Sequence, residues 1–102
     1  MLTSVDADVI RVLGDPLRLR IVTLLARETL CTTHLVEETG AKQTNLSNHM
    51  KVLREAGIVD TEPCGRFTYY KLKPEVLAGL SEQFAELAGL ARTAADNKRA
   101  CL

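Results

Sequence analysis

The apolar positions of this 102-residue chain recur at helical spacing through its first half. Val9, Ile10 and Leu13 predict a short first helix, with Ser4 as its N-cap. A second helix is predicted over residues 16–27, where Leu and Ile repeat every three or four positions. Its start is marked by Asp-Pro, an N-cap followed by proline at the first helical position.

The next two predicted helices are separated by a tight turn. The third helix, HLVEET, has Thr32 or Thr33 as its N-cap and stops at Gly40. In the following stretch, TGAKQTNLSNHMKVLREAG, the residues Leu46, Met50 and Leu53 form a narrow apolar stripe. A short helix, a turn with glycine and a longer helix predict a helix-turn-helix.

The pattern then changes to that of strands. β-branched and aromatic residues flank PCGR in IVDTEPCGRFTYYKL, which predicts a β-hairpin. A last helix begins near Pro74, and its apolar face consists of Val76, Leu77, Leu80, Phe84, Leu87 and Ala91. The predicted fold is mainly α with a small β-hairpin, a winged helix-turn-helix in one domain over residues 1–102.

The helix around Leu46 carries an unusual polar face. With Leu46 facing the core, Thr44, Ser47, Asn48 and Lys51 lie on the far side, and Asn45 lies on the flank. The short polar residues Thr44, Asn45, Ser47 and Asn48 are poor helix formers, but their amides and hydroxyls suit base edges in a major groove. We therefore predict a DNA-binding set of Lys42, Gln43, Thr44, Asn45, Ser47, Asn48, Lys51 and Arg66. The alternative is an ordinary solvated helix, and His49 fits a half-buried packing residue better than a base reader.

The charge distribution agrees with a local anionic partner. The formal net charge is zero, but residues 41–73 carry six basic and three acidic side chains. Residues 1–40 carry four basic and six acidic side chains, and residues 74–102 carry three basic and four acidic ones. The basic middle third, which includes Arg66 at the hairpin tip, favours contact with double-stranded operator DNA through phosphates.

Dimerisation and location follow from the same features. One recognition helix covers few base pairs, so a homodimer is expected to place two helices about 34–36 Å apart. The Leu- and Ala-rich last helix is the predicted dimer surface, with the first helix beside it; alternatively it closes the monomer core. No apolar run is long enough to span a bilayer and the N-terminus lacks a signal pattern, so we expect no membrane contact and a cytoplasmic location.

Two motifs carry a family resemblance. LGDPLRLRIVTLL, together with LCTTHLVEETGAKQTNLSNHMKVLREAGIVDTEPCGRFTYYKL, resembles the ArsR family of bacterial metal- and metalloid-responsive repressors. The resemblance covers about residues 8–90 and implies a dimeric repressor that binds the operator of its own operon and leaves when an inducer binds. The groove-contacting residues that it implies are Gln43, Thr44, Asn45, Ser47 and Asn48, with Arg66 in the wing.

The resemblance also bears on the inducer. Arsenic-sensing members have a Cys-x-Cys motif at the helix before the recognition helix; here Cys31 matches the first position and Thr33 stands at the second. Zinc-sensing members use Asp, His and Glu of the last helix, which here has no His, so zinc is not expected. Thiolates select soft ions, so we expect arsenite or antimonite on Cys31, Cys64 and Cys101, which do not occupy core-like positions in the sequence.

Three alternatives stay open at this point. A disulfide between two cysteines would make a redox or sulfide sensor, and a soft divalent ion such as cadmium would use the same thiolates. The cysteines could also be unrelated. A winged helix that binds a protein and not DNA is a further class. An enzyme is not expected, because neither His34 nor His49 has a nucleophile in a supporting motif and no phosphate-binding glycine loop exists.

Overall fold

Five helices and a three-stranded sheet make up residues 6–101, the part of the chain that the computed structural model describes. In chain order the elements are α1 (Ala7–Leu13), α2 (Pro16–Leu25), β1 (Leu30–Cys31), α3 (Thr32–Thr39), α4 (Gln43–Glu55), β2 (Val59–Cys64), β3 (Phe67–Leu72) and α5 (Pro74–Ala94). The predicted winged helix-turn-helix is confirmed, with strand β1 as an addition.

A cluster of buried apolar side chains joins α1–α4 to the base of the sheet. Its members are Val9, Val12, Ile21, Val22, Leu25, Leu30, Leu35, Leu46, Met50, Leu53, Ile58 and Val59. The predicted stripe of α4 is confirmed, because its three apolar residues are all buried. In α1 the buried pair is Val9 and Val12, one turn apart, whereas Ile10 projects sideways and is exposed. The predicted short first helix is confirmed.

Aspartate side chains begin the first two helices. Asp6 is the N-cap of α1, and its Oδ1 accepts from the backbone N–H groups of Asp8 and Val9, both at 3.1 Å. Ser4, the predicted cap, lies outside the described residues. At α2 the Asp15 carboxylate accepts from the Arg18 N–H at 3.0 Å, as the Asp-Pro motif predicted.

The sheet is the predicted hairpin extended by one short strand. β2 and β3 are antiparallel and in register from Val59 opposite Leu72 to Cys64 opposite Phe67. Strand β1 lies on the other edge of β3, so the strand order is β1-β3-β2. β1 was not predicted, because two residues are too short for an alternating pattern to be recognised.

The start of α3 differs from the prediction. Its N-cap is Cys31, whose backbone is extended (φ −93°, ψ 173°) because this residue is still paired with Tyr69 in the sheet. The prediction of Thr32 or Thr33 as the cap was therefore wrong. Gly40 ends the helix in the left-handed conformation, φ +73°, as predicted.

The last helix is long and lies on the surface of the protomer. Val76, Leu77 and Leu80 pack against the core, but none of the described residues of α5 is fully buried. Phe84 and Leu87, further along the predicted apolar face, are 49% and 43% exposed. No helix within residues 6–101 is both long and apolar enough to cross a membrane.

Candidate nucleic-acid interface

The predicted reading face of α4 points away from the core. Leu46, Met50 and Leu53 hold the helix against α2 and α3. The polar residues predicted to contact DNA from this helix and its N-cap are exposed: Lys42, Gln43, Thr44, Asn45, Ser47, Asn48 and Lys51. The outward orientation agrees with the sequence; contact with nucleobases stays a prediction.

A three-residue turn sets the position of α4 relative to α3. Gly40 turns the chain with positive φ, and the Thr39 hydroxyl accepts from the Ala41 N–H at 3.2 Å. Lys42 then becomes the N-cap of α4, and its carbonyl accepts from the Leu46 N–H at 2.9 Å. The ammonium group of Lys42 cannot accept from the free N–H groups of the helix, and the side chain is exposed at the start of α4.

The hairpin turn brings the wing to the same side as α4. Gly65 has φ +63°, and Arg66 beside it is exposed. A groove of about 330 Å³ lies between the wing and the starts of α3 and α4, and Gln43, Arg66 and Cys31 are among its lining residues. The structure therefore brings together two residues predicted to bind DNA and one predicted to bind the inducer. It also places the exposed Phe67 at this groove, which sequence reasoning missed because an aromatic strand residue is usually buried.

Some of the basic charge of the middle third is neutralised locally. Lys71 Nζ lies 2.6 Å from Glu62 Oε1, and Lys73 Nζ lies 3.9 Å from Asp60 Oδ1. Within residues 6–101, the basic side chains of the predicted DNA-binding set have no acidic partner; these are Lys42, Lys51 and Arg66. The uncompensated positive charge is thus on α4 and the hairpin tip.

The three cysteines do not form a cluster within the protomer. Cys31 is 4% exposed and belongs to the interior, which corrects the expectation that it is not core-like. Cys64 and Cys101 are exposed. Cys64 is on the far edge of β3 from Cys31, and residues 6–101 contain no group of three metal-binding side chains that could hold an ion.

His34 is held next to Cys31. Its Nδ1 accepts a hydrogen bond from the Cys31 N–H at 3.2 Å, and its ring contacts the edge of Tyr69 at a centroid distance of 5.9 Å. The contact fixes the ring and leaves Nε2 as the nitrogen with no role in the cap.

His49 is half-buried, as expected of a packing residue, and it has a specific partner. Its Nδ1 lies 3.0 Å from Nη1 of Arg18 in α2. The Arg18 backbone N–H lowers the pKa of Asp15 below its usual value, and the positive charge of Arg18 adds to that effect. No sequence signal pointed to this contact, because the two residues are 31 positions apart.

Comparison with known proteins identifies the family. The model for "Bacterial regulatory protein, arsR family" matches residues 15–61, which run from the cap of α2 into β2. "Arsenic resistance transcriptional regulator ArsR1" of Pseudomonas putida is 41% identical over 69 residues, or 67% of this chain and 54% of that protein. The "Arsenical resistance operon repressor" of Staphylococcus xylosus is 39% identical over 69 residues, or 68% of this chain and 66% of that protein.

A solved structure extends the comparison to the whole fold. A protein described as "Possible transcriptional regulator for arsenical resistance" superposes with a TM-score of 0.72 at 34% identity, covering 92% of this chain and 100% of the other. The chain spans about half the length of the Pseudomonas relative. A family of regulatory proteins agrees with the expectation that the chain is not an enzyme. On fold, sequence and matched segment together, this chain belongs to the arsR family of bacterial regulatory proteins.

Proposed function

We propose that this chain is a sequence-specific DNA-binding transcriptional repressor, active as a homodimer and released from its operator by trivalent arsenic or antimony bound to cysteines. The observation that carries the proposal is the outward row of short amides and hydroxyls on α4, whose side chains are all exposed. Family membership and the names of the arsenical-resistance relatives support it.

In the proposed complex α4 enters the major groove. The amides of Gln43, Asn45 and Asn48 can each pair with the adenine edge through one acceptor and one donor. The hydroxyls of Thr44 and Ser47 can serve several bases. Buried leucines and a methionine on the opposite side hold the helix in place, so its weak intrinsic helix propensity is not limiting.

Phosphate contacts are assigned to the basic residues without acidic partners. Lys42 and Lys51 lie at the two ends of the polar face of α4, and Arg66 is at the tip of the wing. Binding of these residues to phosphates releases counterions, so the affinity will fall as salt is raised.

Exposed apolar side chains support a homodimer through α5 and α1. Phe84, Leu87 and Leu90 are 43–49% exposed on α5, and Ile10 is exposed on α1. The two helices adjoin, because the Asp6 N–H donates to the Gln83 side chain at 3.3 Å. Covering these residues in a dimer removes apolar surface from water, and the dimer supplies the second recognition helix.

The groove between α3 and the wing supports Cys31 as part of the inducer site. A metalloid bound to this sulfur would lie beside Gln43 and Arg66, the residues that we propose contact DNA. Inducer binding and DNA binding would then favour different arrangements of the same residues, which is the requirement for release. Because the cysteines are apart within one protomer, the complete three-sulfur site would draw ligands across the dimer or from the segment that carries Cys101.

DNA binding is tested by fluorescence anisotropy with the DNA upstream of the protein's own coding sequence. Asn48→Ala is expected to weaken binding about tenfold or more, since one bidentate base contact contributes about 1–3 kcal/mol. Asn97→Ala, the same change in the C-terminal segment, is the matched control and should leave the affinity unchanged. Equal affinities of both variants and the wild type would contradict the reading role of α4.

The inducer is tested on the same complex. Arsenite is expected to dissociate it, and Cys31→Ser is expected to prevent this dissociation. Parallel titrations with cadmium and with hydrogen peroxide separate the alternatives. Release by peroxide with a new disulfide, and none by arsenite, would assign the chain to thiol redox sensing.

A further inference from the structure

Arg18 connects three helices through one half-buried guanidinium group. Its Nε donates to the carbonyl oxygen of Val12 in the last turn of α1, at 2.6 Å. Its Nη1 lies 3.0 Å from His49 Nδ1 in α4. The backbone N–H of Arg18 donates a hydrogen bond to the Asp15 carboxylate at the start of α2. A planar guanidinium group with partners in fixed directions restricts the positions of the elements that it joins.

The contact with His49 requires one protonation state. A guanidinium group donates hydrogen bonds and cannot accept them. His49 Nδ1 must therefore accept, which makes the imidazole neutral with its proton on Nε2. If His49 gained a proton, the hydrogen bond would be lost and two cations would face each other across 3.0 Å.

The apolar contacts of α4 determine which side of the helix is buried, and the contact with His49 narrows the remaining rotation about the helix axis. Leu46, Met50 and Leu53 lie on one buried face, so they select the rotation that turns the polar face outward. The hydrogen bond to His49 is directional. Because His49 directly follows Asn48 in the chain, this hydrogen bond further restricts the direction in which the polar face points.

We propose that Arg18 is a positioning residue for DNA binding, which holds α4 in its reading orientation through neutral His49. The proposal rests on the proposed function, since it names the residue pair on which operator affinity depends. Acidification weakens operator binding, because protonated His49 releases α4 from Arg18.

Among the described charged groups on elements that pack against α4, Asp15 interacts electrostatically with both Arg18 and His49. The Asp15 carboxylate would attract a protonated His49, but it already accepts the Arg18 N–H, so it does not replace the lost bond. Elsewhere in the described chain Arg20 donates to the Glu38 carbonyl, and ion pairs join Arg11 to Asp8, Lys71 to Glu62 and Lys73 to Asp60.

The test compares operator affinity of the full chain at about pH 8 and about pH 5.5. Arg18→Met removes the donor, and Arg20→Met is the matched control, since it removes the same charge two residues along and Arg20 donates to the Glu38 carbonyl of α3, away from His49. His49→Gln keeps an acceptor for Arg18 that cannot be protonated. Circular dichroism and thermal unfolding of each variant establish that it is folded.

Two results are expected. At about pH 8, Arg18→Met binds the operator about tenfold more weakly than Arg20→Met, the loss typical of one hydrogen bond to a charged group. On acidification, the wild type loses about tenfold more affinity than His49→Gln. If Arg18→Met does not fold, the pH comparison of wild type and His49→Gln decides alone.

Two other results would overturn the positioning role. The first is a folded Arg18→Met with an affinity within about twofold of Arg20→Met. The second is a ratio of wild-type to His49→Gln affinity that stays constant with pH. A wild type that binds no operator at about pH 8 contradicts the proposed function instead, so the two failures are distinguishable.

Discussion

Cys31 and Cys64 lie on opposite sides of strand β3, because Cys31 pairs with Tyr69 through β1 and Cys64 pairs with Phe67 through β2. Strands are spaced about 4.8 Å apart and rise about 3.4 Å per residue, so two strand spacings and two residues separate these Cα atoms by about 12 Å. A disulfide requires Cα atoms within about 7 Å. The fold therefore keeps this pair of thiols apart within a protomer.

The first prediction concerns oxidation. Treatment of the folded protein with peroxide is expected to give no Cys31–Cys64 disulfide within one chain, because the sheet would have to open. Peptide mapping by mass spectrometry under non-reducing conditions, with the protein dilute, measures the linkages. The same mapping after unfolding in denaturant is the control. A 31–64 link in the folded monomer would contradict the strand order.

The second prediction concerns the stability of α4. Leu46→Ala is expected to lower the free energy of unfolding by about 2–5 kcal/mol, because Leu46 is completely buried and its truncation leaves a cavity. Ser47→Ala, next to it on the exposed face, is the control and should change stability by less than about 0.5 kcal/mol. Urea denaturation followed by circular dichroism measures both. Similar losses for the two variants would mean that α4 is rotated from the orientation described.

The third prediction concerns the turn between α3 and α4. Gly40 has φ +73°, and a Cβ at this position would meet no atom within 4 Å. Gly40→Ala is therefore expected to destabilise the fold by about 1–2 kcal/mol through backbone strain alone. Gly40→Asn should cost less, since asparagine tolerates the left-handed region. Thermal unfolding compares the variants; an equal cost for both would point to a steric and not a conformational origin.

The fourth prediction concerns self-association. Leu87→Glu is expected to convert a dimer into a monomer of 11.2 kDa, because it places a charge in the exposed apolar surface of α5. Glu82→Lys, on the opposite side of the helix, changes charge without touching that surface. Sedimentation equilibrium gives the mass of each. A wild-type monomer, or a Leu87→Glu dimer, would exclude α5 as the dimer surface.

The fifth prediction concerns acid stability. The Arg18 N–H lowers the pKa of Asp15 in the folded protein, so its carboxylate stabilises the fold above the unfolded pKa. That contribution disappears as the pH falls through the lowered folded pKa. Asp15→Asn keeps the capping acceptor without the titration. Between about pH 5 and about pH 2, the Tm of the wild type is expected to fall further than that of Asp15→Asn; parallel curves would remove Asp15 from the acid response.

The periodicity of apolar residues in the sequence was sufficient to predict the helices and the β-hairpin. The spacing of Leu46, Met50 and Leu53 predicts both the existence of α4 and the side that it buries, and the exposed polar face follows from the same rotation of 100° per residue. The Asp-Pro motif locates the start of α2 because a cap is a local interaction. These features depend on residues within one or two turns of each other.

Features that depend on distant residues could not be predicted. Strand β1 exists because Leu30 and Cys31 pair with an edge of β3, whose residues lie about 40 positions later in the chain. The burial of Cys31 follows from that pairing and is hidden by its polar neighbours in the sequence. The Arg18–His49 contact likewise appears only when α2 and α4 are packed together.

Strand β1 makes the beginning of α3 and the wing parts of one body. Its last residue, Cys31, is bonded into the sheet beside Tyr69 and also begins the helix. A chemical group that displaced Cys31 would displace the hairpin and the start of α3 together. Helix α4 is attached to the core separately, through its own leucines. The distance between the hairpin tip and α4 would change, and a pair of contacts spaced for one stretch of duplex would no longer fit it.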